Sequence, residues 1–141
     1  MRIAFIALLA GAALVAGLAG RSRAEKEKKV SDRVFEMRTY YAPPGKMKAL
    51  HARFRDHTCK LFEKHGMTLI GFWSPIEKDK AEEVMVYLLA FRSKEAADKA
   101  WKAFRADPDW IKAKGDSEKV GPLVKKVDSV FLTPTDYSKL K

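Results

Sequence analysis

The stretch Val84-Met85-Val86-Tyr87-Leu88-Leu89-Ala90-Phe91 is apolar at every position. Its β-branched, aromatic and aliphatic residues read as a strand, and along a strand successive side chains point to opposite faces. Both faces of the sheet that holds it therefore want cover. The rest of the chain has to supply that cover, or recruit it.

Punctuation along the chain divides it into few elements. Val34 to Tyr41 reads as a strand closed by Ala42-Pro43-Pro44-Gly45. From about Pro44 the period becomes helical, with Met47, Leu50, Phe54, Thr58, Leu61 and His65 at three- and four-residue steps and Gly66 as a stop. Met67 to Pro75 is expected as a second strand, Glu77 to Lys80 as an exposed turn, and Val84 to Phe91 as a third strand. Ser93 is expected to cap a second helix with Ala97, Ala100, Trp101 and Phe104 on its buried stripe. Asp107 and Pro108 suit the cap and first position of a short further helix, with Gly115 as its expected end. A last strand runs from about Val124 to Leu132.

The order β-α-β-β-α-β is the ferredoxin-like α+β plan with an antiparallel sheet. Two amphipathic helices cover one face of such a sheet. For the other, the cheapest partner is a second copy of the same sheet. The expected assembly is a homodimer, an α+β barrel with a cavity between its subunits.

Composition closes several other routes. A chain of 141 residues with 47% hydrophobic and 33% charged side chains supports one folded domain and excludes wholesale disorder. Cys59 is the only cysteine, which excludes a disulfide framework and a Cys-based zinc site. Met1-Arg2, the uncharged run Ile3 to Ala19, and small residues at Ser22 and Ala24 read as a secretory signal over residues 1–24, cut after Ala24. An uncleaved N-terminal anchor is the alternative. The expected location is thus periplasmic or secreted, with no stable membrane span once the signal is removed. Residues 25–33 are expected to be a disordered segment, 34–133 the domain, and 134–141 a C-terminal tail. The net charge of +10 is dispersed among acids, which argues for solubility and weak attraction to anions and against a nucleic-acid face.

Four short motifs carry a resemblance. Phe35-Glu36-Met37-Arg38-Thr39-Tyr40 resembles the first-strand pattern of the NIPSNAP family, with Met37 in place of leucine. Pro44-Gly45-Lys46, Gly71-Phe72-Trp73 and Asp107-Pro108-Asp109-Trp110 are similar to that family's later motifs, in the same order, over roughly Val34 to Thr133. The chain departs from the pattern at Tyr87, where many members carry a histidine. What the resemblance implies is a dimeric α+β barrel related to antibiotic-biosynthesis monooxygenases, muconolactone isomerases and haem-degrading barrels. It assigns no reaction.

The three histidines all fall on the first helix. A rise of about 1.5 Å per residue puts His51 and His57 roughly 9 Å apart along the axis, and no pair is spaced i, i+4, so no metal is expected. His57 reads as a hydrogen-bonded core or interface group, with a ligand or proton-transfer role as the alternative. His65 reads as a cation at the helix C-terminus. Glu36 and Arg38 share one face of the first strand, either as a mutually neutralised pair or with Arg38 pointing into the barrel cavity to hold an anionic or carbonyl-bearing ligand. Tyr40, Trp73, Tyr87 and Trp110 are candidate aromatic walls of that pocket. The expected activity is binding of a small, partly apolar molecule without a cofactor. The alternatives are a cofactor-free monooxygenase or isomerase, a haem-handling barrel with His57 or His65 as axial ligand, and a structural or adaptor domain. An RNA-binding sheet of this plan needs a Lys/Arg-Gly-aromatic start on the third strand; here that strand begins Glu83-Val84-Met85 and an export signal precedes it, so RNA binding is not expected.

Overall fold

Antiparallel pairing puts β1 (Val34–Tyr41) at the centre of a four-stranded sheet in the computed structural model, which describes residues 33–141. The signal segment and residues 25–32 lie outside the described residues. β1 is flanked by β3 (Val84–Phe91) and β4 (Lys126–Leu132), and β2 (Thr68–Trp73) pairs with the far side of β3. The order β2-β3-β1-β4 is that of the expected plan. Arg38 lies opposite Tyr87 on β3 and opposite Ser129 on β4, and Phe72 lies opposite Tyr87.

The first helical stretch is not uniform. It runs as α1 (Met47–Arg53), a π turn over Phe54–Thr58, and α2 (Cys59–Lys64). The Thr58 hydroxyl donates to the Arg53 carbonyl at 3.2 Å, five residues back, and the Cys59 amide bonds the Phe54 carbonyl across the same turn. The widened turn keeps Phe54 and Thr58 in the core and draws Arg53 inside as well. Gly66 then ends the stretch at φ 77°, a conformation open to glycine without strain. A one-turn helix, α3 (Lys78–Ala81), replaces the expected turn after β2.

The remaining helices follow the sequence signals at their starts. α4 (Lys94–Ala106) is capped by Ser93, whose Oγ accepts from the Ala96 amide at 3.2 Å. α5 (Pro108–Ser117) is capped by Asp107, which accepts from the Asp109 amide at 2.8 Å. Its end differs from expectation: Gly115 sits inside the helix, and Ser117 closes it by donating to the Lys114 carbonyl at 2.9 Å.

The core lies on one face of the sheet. Leu50, Phe54, Phe62, Trp101 and Phe104 from the helices pack on Met85, Tyr87, Leu89 and Phe91 of β3. By alternation Glu36, Arg38 and Tyr40 point to that same side, and Met37, Val86, Leu88 and Val130 point to the other. No helix lies on that second side among the described residues. The C-terminal segment 133–141 covers one corner of it, where Phe35, Leu88, Leu132, Pro134 and Leu140 line an apolar cleft of about 300 Å³. Met37, Trp73, Val130 and Leu132 remain exposed. The Trp73 indole lies over Gly71, where an added Cβ would sit 2.6 Å from the ring.

Candidate functional site

A carboxylate on a central strand under a helix layer has to be satisfied, because an uncompensated buried charge costs several kcal/mol. Glu36 is 3% exposed. Its Oε2 accepts from the Trp101 indole N–H at 2.5 Å and its Oε1 from the Ser129 hydroxyl at 2.6 Å. Arg38 Nε approaches Oε1 at 3.4 Å, an ion pair without hydrogen-bond geometry. α4 supplies the indole and β4 the hydroxyl, so three elements converge on one carboxylate.

Arg38 is held by stacking more than by hydrogen bonds. Its guanidinium carbon lies 4.2 Å from the Trp101 ring centre and 5.6 Å from that of Tyr40. Among the described residues none accepts a hydrogen bond from it, and its side chain keeps 19% exposure. Burial pulls the guanidinium pKa down, but Tyr40, Tyr87 and Glu36 together hold it above its ordinary value. Arg38 is a fixed cation.

Beside it stands Tyr87, fully buried, with a hydroxyl that has no hydrogen-bond partner. Such an orphan costs about 1–3 kcal/mol. Burial and then Tyr40 raise its pKa well above the ordinary phenol value, against the pull of Arg38. The Tyr87 ring stacks on Phe72 at 5.4 Å and meets the Tyr40 ring edge-on at 5.2 Å. The arrangement sets one cation beside a buried hydroxyl and a cluster of packed rings.

The seven residues expected to line one pocket are divided by the structure. Glu36, Arg38, Tyr40 and Tyr87 come together, but on the helix-covered face and not in a space between two sheets. The expected placement fails because β1 parity follows β3, whose Tyr87 and Leu89 are core. Trp73 lies on the opposite, bare face. Trp110 packs on Phe104 at 4.4 Å beneath the Arg53 guanidinium, away from Arg38.

His57 is neither core nor hydrogen-bonded. It is exposed on the outer surface, in a cleft with Asp56, Lys60, Asp109 and Asp116. His65 caps α2 as expected, but its Nε2 is taken by Asp107 at 2.7 Å and not by helix carbonyls. Lys64 joins the same carboxylate at 2.8 Å. Lys64 first and His65 second hold the Asp107 carboxyl well below the usual carboxylate range. His51 lies in a separate open cleft with Lys48, Arg55 and Ser74, its pKa lowered by burial and by Arg55. Among the described residues no three His, Cys, Asp or Glu side chains gather as a metal site would require.

Sequence reasoning missed three participants. Trp101 reads only as core stripe, Ser129 falls within the last strand and Arg53 within the first helical stretch, with no partner indicated for any of them; they lie far along the chain from the groups they touch. Arg53 bonds Glu118 at 2.8 Å and Ser117 at 3.3 Å, tying α1 to the end of α5. The signal that points to Trp101 and Ser129 is indirect: a glutamate on a central strand demands donors from whatever packs on it.

Comparison with known proteins places this architecture. The NIPSNAP family model matches residues 35–139, most of the chain. The chain belongs to the NIPSNAP family. None of the curated proteins matches it. Among solved structures, a NIPSNAP family protein of unknown function from Agrobacterium tumefaciens is 22% identical, with TM-score 0.67 over 79% of this chain and 96% of that one. A NIPSNAP-like domain protein from Burkholderia xenovorans is 18% identical, with TM-score 0.66 over 77% and 90%. SnoaB of Streptomyces nogalater, a cofactor-independent oxygenase, is 13% identical, with TM-score 0.51 over 74% and 95%. At these identities the neighbours share the NIPSNAP fold of this chain and say nothing further of its chemistry. No helix of the described residues is long and apolar enough to cross a membrane.

Proposed function

We propose that this NIPSNAP protein is a homodimeric small-molecule binder that holds a partly apolar ligand against Arg38, on the helix side of the sheet. The observation that carries the reading is the Arg38 guanidinium, stacked on Trp101 at 4.2 Å, anchored by Glu36 and with its Nε unpartnered by a hydrogen bond among the described residues. A cation fixed in this way recognises an oxygen acceptor, and the surrounding rings of Tyr40, Trp101 and Tyr87 favour an apolar body on the same molecule. The exposed side chains of Met37, Trp73 and Val130 support the second half of the reading, because a sheet face of that kind is covered by another copy of itself.

Native mass spectrometry of protein purified from its own host tests both halves. The expected result is a dimer that carries a ligand mass on each subunit, with Arg38→Ala still folded and dimeric but empty. Retention of the same mass by Arg38→Ala places the ligand elsewhere. We further propose export: N-terminal sequencing of the same sample is expected to begin at Glu25, and a start at Met1 contradicts cleavage.

A further inference from the structure

We propose that the cleft between α1 and the segment joining β2 to β3 is a second ligand site, apart from the Arg38 cluster. It takes a small organic molecule that carries a doubly charged phosphate group.

The cleft holds about 800 Å³, within the range of small-molecule sites. One wall is helical. Lys48 and His51 stand three residues apart on α1, and Arg55 follows four further on in the π turn, so the three share one face. The other wall is made by Ser74, just past the end of β2, by Lys78 and Ala81 of α3, and by Glu82. The Ser74 Oγ lies 3.4 Å from His51 Nε2, a hydrogen bond that joins the two walls.

Three cations, Lys48, Arg55 and Lys78, line this space against the single carboxylate of Glu82. Among the described residues none of the three forms an ion pair. Elsewhere the chain pairs its lysines: Lys64 with Asp107, Lys94 with Asp98, Lys112 with Asp116 and Lys126 with Asp128. One unpaired cation on a solvated helix face is ordinary. Three around one concavity repel each other and concentrate positive potential there. An oxyanion placed among them relieves that repulsion through charge-assisted hydrogen bonds, and a double charge answers the surplus that Glu82 leaves. The cleft is larger than a bare phosphate fills, and Met47 and Ala81 give the remainder an apolar lining, so the phosphate sits on an organic body.

His51 reports on occupancy. Burial and then Arg55 hold its pKa below the ordinary value, so the ring is neutral at pH 7. The charged groups facing it are Lys48 and Arg55 on its own helical stretch and Lys78 and Glu82 across the cleft. A dianion bound among the cations offsets Arg55 and favours the imidazolium.

Phenyl phosphate and inorganic phosphate, titrated at fixed ionic strength and followed through the histidine ring protons by NMR, test the site. Saturating phenyl phosphate is expected to raise the His51 pKa by about one unit, equivalent to tenfold tighter binding to the charged ring, while His57 and His65 stay unchanged. Inorganic phosphate is expected to give the same shift with weaker binding. The double variant Lys48→Gln, Arg55→Gln alters two exposed positions and is expected to stay folded by circular dichroism while losing about tenfold in affinity. A His51 signal that does not respond, equal shifts at all three histidines, or full affinity in the double variant overturns the site. Phenyl phosphate binding no more tightly than inorganic phosphate overturns the organic ligand. These outcomes leave the Arg38 reading standing, since that is judged on the mass lost in Arg38→Ala.

Discussion

Glu36 is the residue whose truncation carries the largest expected cost. Glu36→Ala removes the acceptor for the Trp101 indole and the Ser129 hydroxyl and leaves the Arg38 charge unpaired. Losing one partner of a buried ion pair costs about 3 kcal/mol or more, so urea unfolding followed by tryptophan fluorescence should show a shift of that size. Glu36→Gln keeps one acceptor oxygen and is expected to lose less. A Glu36→Ala variant within about 0.5 kcal/mol of wild type contradicts the cluster, since that is the ordinary range for surface substitutions. The charged pair itself was legible in the sequence, because Glu36 and Arg38 alternate onto one strand face. Its surroundings were not, because Trp101 is 65 positions away and Ser129 is 93.

At the scale of elements, starts were easier to read than phases and ends. The caps at Ser93 and Asp107 follow from side chains that bond amides two or three residues on, a purely local matter. The stripe Met47, Leu50, Phe54, Thr58 and Leu61 was equally legible. The π turn was not, since the apolar spacing across it is that of an ordinary helix; nor was the inward turn of Arg53, whose partners Ser117 and Glu118 lie at the end of α5. Gly115 failed as a stop because a glycine can end a helix without being obliged to.

Asp107 connects α2, α4 and α5, and its effect on stability has a definite sign. Lys64 and His65 depress its pKa in the folded protein. The stabilisation is therefore present above the unfolded value near pH 4, and it is lost as the pH falls below that. Asp107→Asn retains the cap and loses the charge. Its urea midpoint is expected to lie below that of wild type at pH 7, with the gap closing below about pH 4. A gap independent of pH contradicts the ion-pair account.

The whole molecule is organised by the two faces of one sheet. The helices, the aromatic core and the Arg38 cluster occupy one face; Met37, Val86, Leu88 and Val130 on the other meet no helix of this chain among the described residues. The α+β plan and the need for cover on both faces were readable from Val84 to Phe91. The assignment of faces was not, because strand alternation gives two equivalent answers until the helices choose one. Met37 offers the clearest probe: at 39% exposure on the central strand, a charge there leaves the monomer core untouched and disrupts only a packed second sheet. Sedimentation equilibrium on the folded protein, wild type beside Met37→Glu, tests this most directly. The wild type is expected at twice the subunit mass and the variant at the subunit mass. A wild type that stays monomeric at high concentration contradicts the account.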